Sequence, residues 1–163
     1  MYHQIGEPNP KGTPFRGLTV HPDDFARQMR WMRFLGYRGL SMRDVMPYVR
    51  GERRGKVFGI TFDDGYRNVV QNAMPVLDKL GFTATNYLVA NQFDGGNVWD
   101  AKIGIPHSPL MTVEEMRQWA AAGHEVGSHT LDHVHLPEMT PDEARRQMVE
   151  SKDVLEQALG APV

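Results

Sequence analysis

The chain of 163 residues contains no cysteine. Disulfides, thiolate metal sites and cysteine nucleophiles are therefore excluded, and thiol usage says nothing about redox compartment. Long apolar runs are also missing, since no stretch approaches the roughly 20 residues a membrane-spanning helix needs. The opening, Met1-Tyr2-His3-Gln4-Ile5-Gly6, lacks the basic-then-apolar pattern of a signal peptide. On the chain as it stands, the expected location is cytoplasmic. Nor is there an excess of one charge: 18 Lys and Arg face 20 Asp and Glu, a formal −2. That balance gives no general pull toward nucleic acid or an anionic membrane. One basic run, Arg50, Arg53, Arg54 and Lys56, has no interleaved aromatics and reads as a solvated loop face. No internal repeat or low-complexity tract is visible.

The length suits one domain large enough to bury a core, and a hydrophobic fraction of 40% is ordinary for a globular chain. Tyr2 to Ile5 reads as a short strand, and Gly6 to Gly17, with three prolines, as a loop. Pro22-Asp23-Asp24 opens a periodic run, Phe25, Met29, Met32, Leu35, closed by Gly36, which predicts a helix. Tyr37 to Leu40 reads as a strand, and Ser41 as the cap of a short helix toward Val49. Lys56 to Phe62 reads as a buried strand ending at two aspartates. Tyr66 to Leu80 reads as a helix that Pro75 kinks or breaks. Phe82 to Ala90 is rich in β-branched and aromatic residues and reads as the next strand. A long irregular stretch, Asn91 to Leu110, follows, and loops of that length are commonly functional. Thr112-Val113-Glu114-Glu115 and Thr140-Pro141-Asp142-Glu143 are two capping boxes. They open helices that Gly123 and Gly160 end, with a strand from His124 to Gly127 between them. Trp31 and Trp119 fall on helix faces and read as core. Strand and helix alternate about five times, which predicts an α/β fold with a mainly parallel sheet.

Ligands of such folds gather at the carboxyl ends of the strands. Two polar motifs fall there: Thr61-Phe62-Asp63-Asp64-Gly65, and His129-Thr130-Leu131-Asp132-His133. His129 and His133 are four apart, so on a helical turn both imidazoles would face one side. Asp64, His129 and His133 together offer one carboxylate and two imidazoles. That donor set suits zinc and also admits cobalt, nickel, manganese or iron, with a position left open for water and substrate. The competing reading is two turn histidines and a helix-capping aspartate. Adjacent aspartates point different ways at a strand end. One can bind a metal while the other faces the metal's water and takes its proton as general base. Gly65 allows the sharp turn that follows.

These paired motifs resemble the polysaccharide deacetylase family with the NodB homology domain, carbohydrate esterase family four. Tyr2-His3 and Gly123-His124-Glu125-Val126-Gly127-Ser128-His129 are also similar to it. The resemblance implies a metal-dependent hydrolase that removes N-acetyl groups from N-acetylglucosamine-type polysaccharide or oligosaccharide. Asp63 would then be the catalytic base, and Asp64, His129 and His133 the metal ligands. It implies a distorted (β/α)7 barrel, of which residues 1–163 would supply about the first five strands as a partial NodB-type domain. Later family motifs are absent: an Arg-x-Pro-aromatic stretch, a pocket wall for the acetyl methyl, and a general-acid histidine. His135 and His107 are stand-ins for that acid. The alternative is a catalytically inactive fragment that binds carbohydrate or metal. Without the later strands of the barrel, an uncovered sheet edge would invite homo-oligomers. His3, at the end of the first strand, and Trp99-Asp100, in the long loop, are further substrate-binding candidates. His124 and His21 receive no role.

Overall fold

Helix starts are written into the sequence, and the computed structural model, which describes residues 1–163, places them as the caps require. Pro22 opens α1 (Pro22–Phe34), where its missing N–H costs nothing, and His21 Nδ1 accepts from Asp23 N at 3.2 Å. Ser41 Oγ accepts from Asp44 N at the head of α2 (Met42–Val49). Thr112 and Glu115 close a reciprocal capping box on α4 (Val113–Ala121). The second predicted box forms only by half. Thr140 Oγ1 accepts from Glu143 N at the head of α5 (Pro141–Leu159), but the Glu143 carboxylate turns to Arg146 and Gln147 instead. Pro75 distorts its helix without interrupting it: a π-helical stretch, Val69–Ala73, runs directly into α3 (Met74–Leu80), where the proline sits near the start.

All strand pairing is parallel. β1 (Gln4–Ile5) pairs with β2 (Thr19–Val20), a short strand the sequence reading did not assign. β3 (Arg38–Leu40) pairs with β4 (Val57–Gly59). β5 (Thr61–Phe62), β6 (Thr85–Leu88) and β7 (Glu125–Ser128) form a run in that order. Ile60 separates β4 from β5 and passes the chain between neighbours. Its N–H donates to Leu40 O, and its carbonyl accepts from Thr85 N, both at 2.9 Å. Tyr2 bridges Phe62 on the other side, which ties β1 to β5.

The core lies between these strands and the helices covering them. Phe62 meets Trp119 edge-on at 5.9 Å and Phe25 at 5.8 Å, and Tyr2 closes on Phe25 at 5.2 Å. Trp119 is fully buried, as expected, and its Nε1 donates to Glu125 O. Trp31 is not core: it is 58% exposed on the outer side of α1, because Phe25 and Met29 already fill the inward stripe. No helix is long and apolar enough to cross a membrane.

Candidate metal centre

The carboxyl ends of β5 and β7 deliver the two motifs to one place. Asp63 N donates to Tyr2 O at 3.0 Å, which fixes the end of β5. The chain then turns through two left-handed residues, Asp64 (φ 74°) and Gly65 (φ 81°). Glycine is required at the second, since a Cβ there would lie 2.5 Å from Leu88 Cδ2. This turn buries the Asp64 side chain, leaving it 6% exposed. On the other strand, His129 N extends the ladder to Leu88 O at 2.9 Å.

His129 and His133 converge, but not through helical periodicity. Residues 129–133 form an irregular loop with Thr130 (φ 66°) and His133 (φ 57°) both left-handed. His129 Nε2 stands 3.2 Å and His133 Nε2 3.1 Å from the same oxygen, Asp64 Oδ1. Candidate ligand atoms of all three residues lie within 4.8 Å of one another. Neither nitrogen approaches with hydrogen-bond geometry, so Asp64 Oδ1 is buried without a hydrogen-bond partner. A buried, orphaned carboxylate oxygen is costly, and a cation shared with the two imidazoles would satisfy it. The residues present therefore fit a divalent metal. Burial pushes the Asp64 carboxyl up, but the two imidazoles outweigh it and hold the group below the ordinary carboxylate range. Asp64 in turn raises His129 against the opposing effect of burial. Burial raises the carboxyl of Asp63, with His129 and His3 pulling it back and Asp64 adding to the rise.

The sequence did not reveal what holds the histidine loop. Gln147 of α5 is 1% exposed, and its Oε1 accepts from both Leu131 N (3.0 Å) and Asp132 N (3.1 Å). Its Nε2 donates to Asp132 Oδ2 at 2.8 Å. A lone glutamine on a helix carries no sequence signal of such a role. Trp99, a sugar-contact candidate on sequence, also packs on the site itself. Its ring stacks on His133, with centroids 4.3 Å apart and planes 17° from parallel. Asp100 Oδ2 accepts from Tyr66 OH (3.3 Å) and Asn97 Nδ2 (2.9 Å). His3, Trp99 and Asp100 nonetheless line a cleft of about 400 Å³ together with Asp64, His133 and His135. His135 is largely exposed and faces Glu138 at 3.4 Å. His107 is outside this cleft and packs against Gly96.

A family profile described as polysaccharide deacetylase matches residues 50–163, more than half of the chain. This chain belongs to the polysaccharide deacetylase family. Within the family it is 30% identical over 158 residues to YxkH of Bacillus subtilis (strain 168), covering 96% of this chain and 50% of that protein. It is 24% identical over 117 residues to the poly-beta-1,6-N-acetyl-D-glucosamine N-deacetylase of Staphylococcus epidermidis, covering 71% of this chain and 40% of that enzyme. The deacetylase PplD of Streptococcus pyogenes, solved in complex with acetate, superposes with a TM-score of 0.80 at 28% identity. That match covers 99% of this chain and 68% of PplD. The chain spans half or less of the length of these two curated relatives.

Proposed function

We propose that this polysaccharide deacetylase domain hydrolyses N-acetyl groups on an N-acetylglucosamine-type polysaccharide in a metal-dependent reaction. The observation that carries the reading is the convergence of Asp64, His129 and His133 on one point beside Asp63, with Asp64 Oδ1 left unpartnered. Asp64, His129 and His133 would hold a divalent cation, and a carboxylate with two imidazoles suits zinc first. When bound, that cation supplies Lewis acidity to the acyl oxygen and to an attacking water.

The remaining chemistry falls to the chain's own residues. Asp63 accepts the proton from water as its oxygen adds to the acetamide carbon, and its partial burial favours a carboxylate that takes up a proton. The C–N bond then breaks, the nitrogen takes a proton, and acetate and a free amine leave. His135, on the wall of the cleft, is a candidate to return that proton. His3 and the free side of Trp99 would contact the sugar, with Trp99 also steadying His133. The same reading takes the parallel strands as part of a distorted (β/α)7 barrel. The name of the Staphylococcus epidermidis relative makes β-1,6-linked N-acetylglucosamine oligomers the first substrate to test.

The experiment incubates the protein with zinc or cobalt and such oligomers and measures released acetate. Asp63→Asn should lower the rate by at least about 100-fold, the scale of a general base, while calorimetry shows metal binding retained. Acetate release unaffected by Asp63→Asn would remove the base assignment. Metal binding without any release would leave the inactive binding fragment as the reading.

A further inference from the structure

The fold brings to one pole of the molecule the aromatic residues that the basic run lacks in sequence. Nine of the 18 Lys and Arg fall between residues 27 and 56, against only two acids, Asp44 and Glu52. α1 and α2 both run back toward the amino-terminal ends of the strands, so the end of α1, the start of β3 and the turn into β4 meet there. Arg38 N donates to Lys56 O at 2.9 Å. Lys56 Nζ reaches Leu35 O at 3.4 Å and stands 5.8 Å over the Tyr37 ring. Trp31 and Phe34, in the last turn of α1, meet edge to face at 5.6 Å. Phe34 is 79% exposed, and Leu35 next to it and Val49 at the end of α2 are more than half exposed. Arg27 and Arg43 have acidic neighbours in Asp24 and Asp44. Arg30, Arg33, Arg38, Arg50, Arg53, Arg54 and Lys56 pair with no acid and face solvent.

We propose that this pole docks on an anionic lipid headgroup layer. A soluble polyanion would engage the guanidinium groups but leave Phe34, Leu35 and Val49 facing water. A purely apolar partner would strip water from seven unpaired cations, which is costly. Headgroup phosphates over the acyl boundary satisfy both sets at once: the cations stay at the charged layer while the aromatic and aliphatic side chains enter just below it. The metal cluster lies at the opposite ends of the strands. Docking therefore turns the cleft away from the lipid, toward polymer in the aqueous phase. The proposal does not depend on the deacetylase reading.

The test is cosedimentation of the full chain with vesicles of phosphatidylcholine alone and of phosphatidylcholine mixed equally with phosphatidylglycerol. Binding is expected only with phosphatidylglycerol, and it weakens as salt rises. Arg53→Gln with Arg54→Gln should weaken it about 30-fold, roughly fivefold for each cation removed. Trp31→Ser with Phe34→Ser should weaken it at least about tenfold while the salt dependence persists. Val49→Ser, on a neighbouring element, gives an independent loss if the α1 variant folds poorly. Absence of binding at physiological salt, or equal binding to both vesicle types, overturns the proposal. So does binding indifferent to the apolar substitutions, which would reduce the effect to charge alone. Displacement from the vesicles by single-stranded nucleic acid would reassign the surface and overturn it as well.

Discussion

Asp64 carries two demands in one side chain, a charge for the metal and a left-handed backbone for the turn. Asparagine tolerates the left-handed region nearly as well as aspartate does. Asp64→Asn should therefore fold like the parent while losing the carboxylate, and calorimetry should show zinc affinity at least about 100-fold weaker. Unchanged affinity would mean that Asp64 is a turn residue and not a ligand. His124, which the sequence left without a role, has a structural one. Its ring is stacked 4.1 Å from Trp119, its Nδ1 accepts from Ala84 N at 3.2 Å, and its Nε2 lies 3.0 Å from Asp78. A ring nitrogen that accepts from a backbone N–H cannot carry a proton, so the fold demands the neutral form. Burial accordingly lowers its pKa, with Asp78 pulling the other way. A histidine lowered on folding contributes stability that is full above its unfolded pKa of about 6.5 and is lost as pH falls through the folded value. Thermal melts should therefore show a fall in stability below about pH 6.5 that His124→Gln reduces. An identical pH profile in that variant would place the acid sensitivity elsewhere. The motif residues were legible because their identities sit at strand ends. His124 was not, because its partners, Asp78 and Ala84, come from other elements.

At the scale of elements, sequence signals worked where they were local. Ser41, Thr112 and Gly36 each set a boundary through the backbone of their own turn, and the structure honours all three, while Pro75 follows a π-type distortion in a continuous helix. Signals that depended on competition failed in part. Glu143 could cap its own helix or pair with Arg146, and it took the arginine, which offers two charge-assisted bonds at 2.7 and 3.0 Å. The histidine pair was right about convergence and wrong about its cause, since a left-handed loop rather than a helical turn aims the rings. That loop depends on α5. Gln147→Ala leaves two backbone N–H groups without their acceptor, at about 1–3 kcal/mol each if they stay buried. Support of this kind behind metal ligands is typically worth about 10–100-fold in metal affinity. The variant should therefore melt earlier and bind zinc at least about tenfold more weakly, with Asp63 and all three ligands intact. Wild-type affinity at a lowered melting temperature would reduce Gln147 to a packing role.

For the molecule as a whole, what the sequence could not show is which distant pieces share a surface. Trp31 satisfies helical spacing as well as Trp119 does, yet one is exposed and the other buried, because only Trp119 packs on Phe62 of β5 and on His124. The metal centre is the other such meeting point, joining the end of β5 to the loop after β7. Those two pieces are also tied by the sheet, but Asp64 Oδ1, between the two imidazoles, has no hydrogen-bond partner. A cation bound there favours the folded state by mass action, since the unfolded chain offers no comparable site. At a free zinc concentration of about 100 times Kd the gain is about 2.7 kcal/mol, which for a chain of this size raises the melting temperature by about 5–10 °C. A chelator should reverse the shift, and His133→Ala should abolish it while the apo protein melts close to the parent. Trp99→Ala should keep most of the shift but require more zinc to reach it, since removing the stacked indole frees the His133 ring without removing a ligand atom. A melting temperature indifferent to zinc in the parent, or an equal rise in parent and His133→Ala, would mean that the cation binds somewhere other than this cluster.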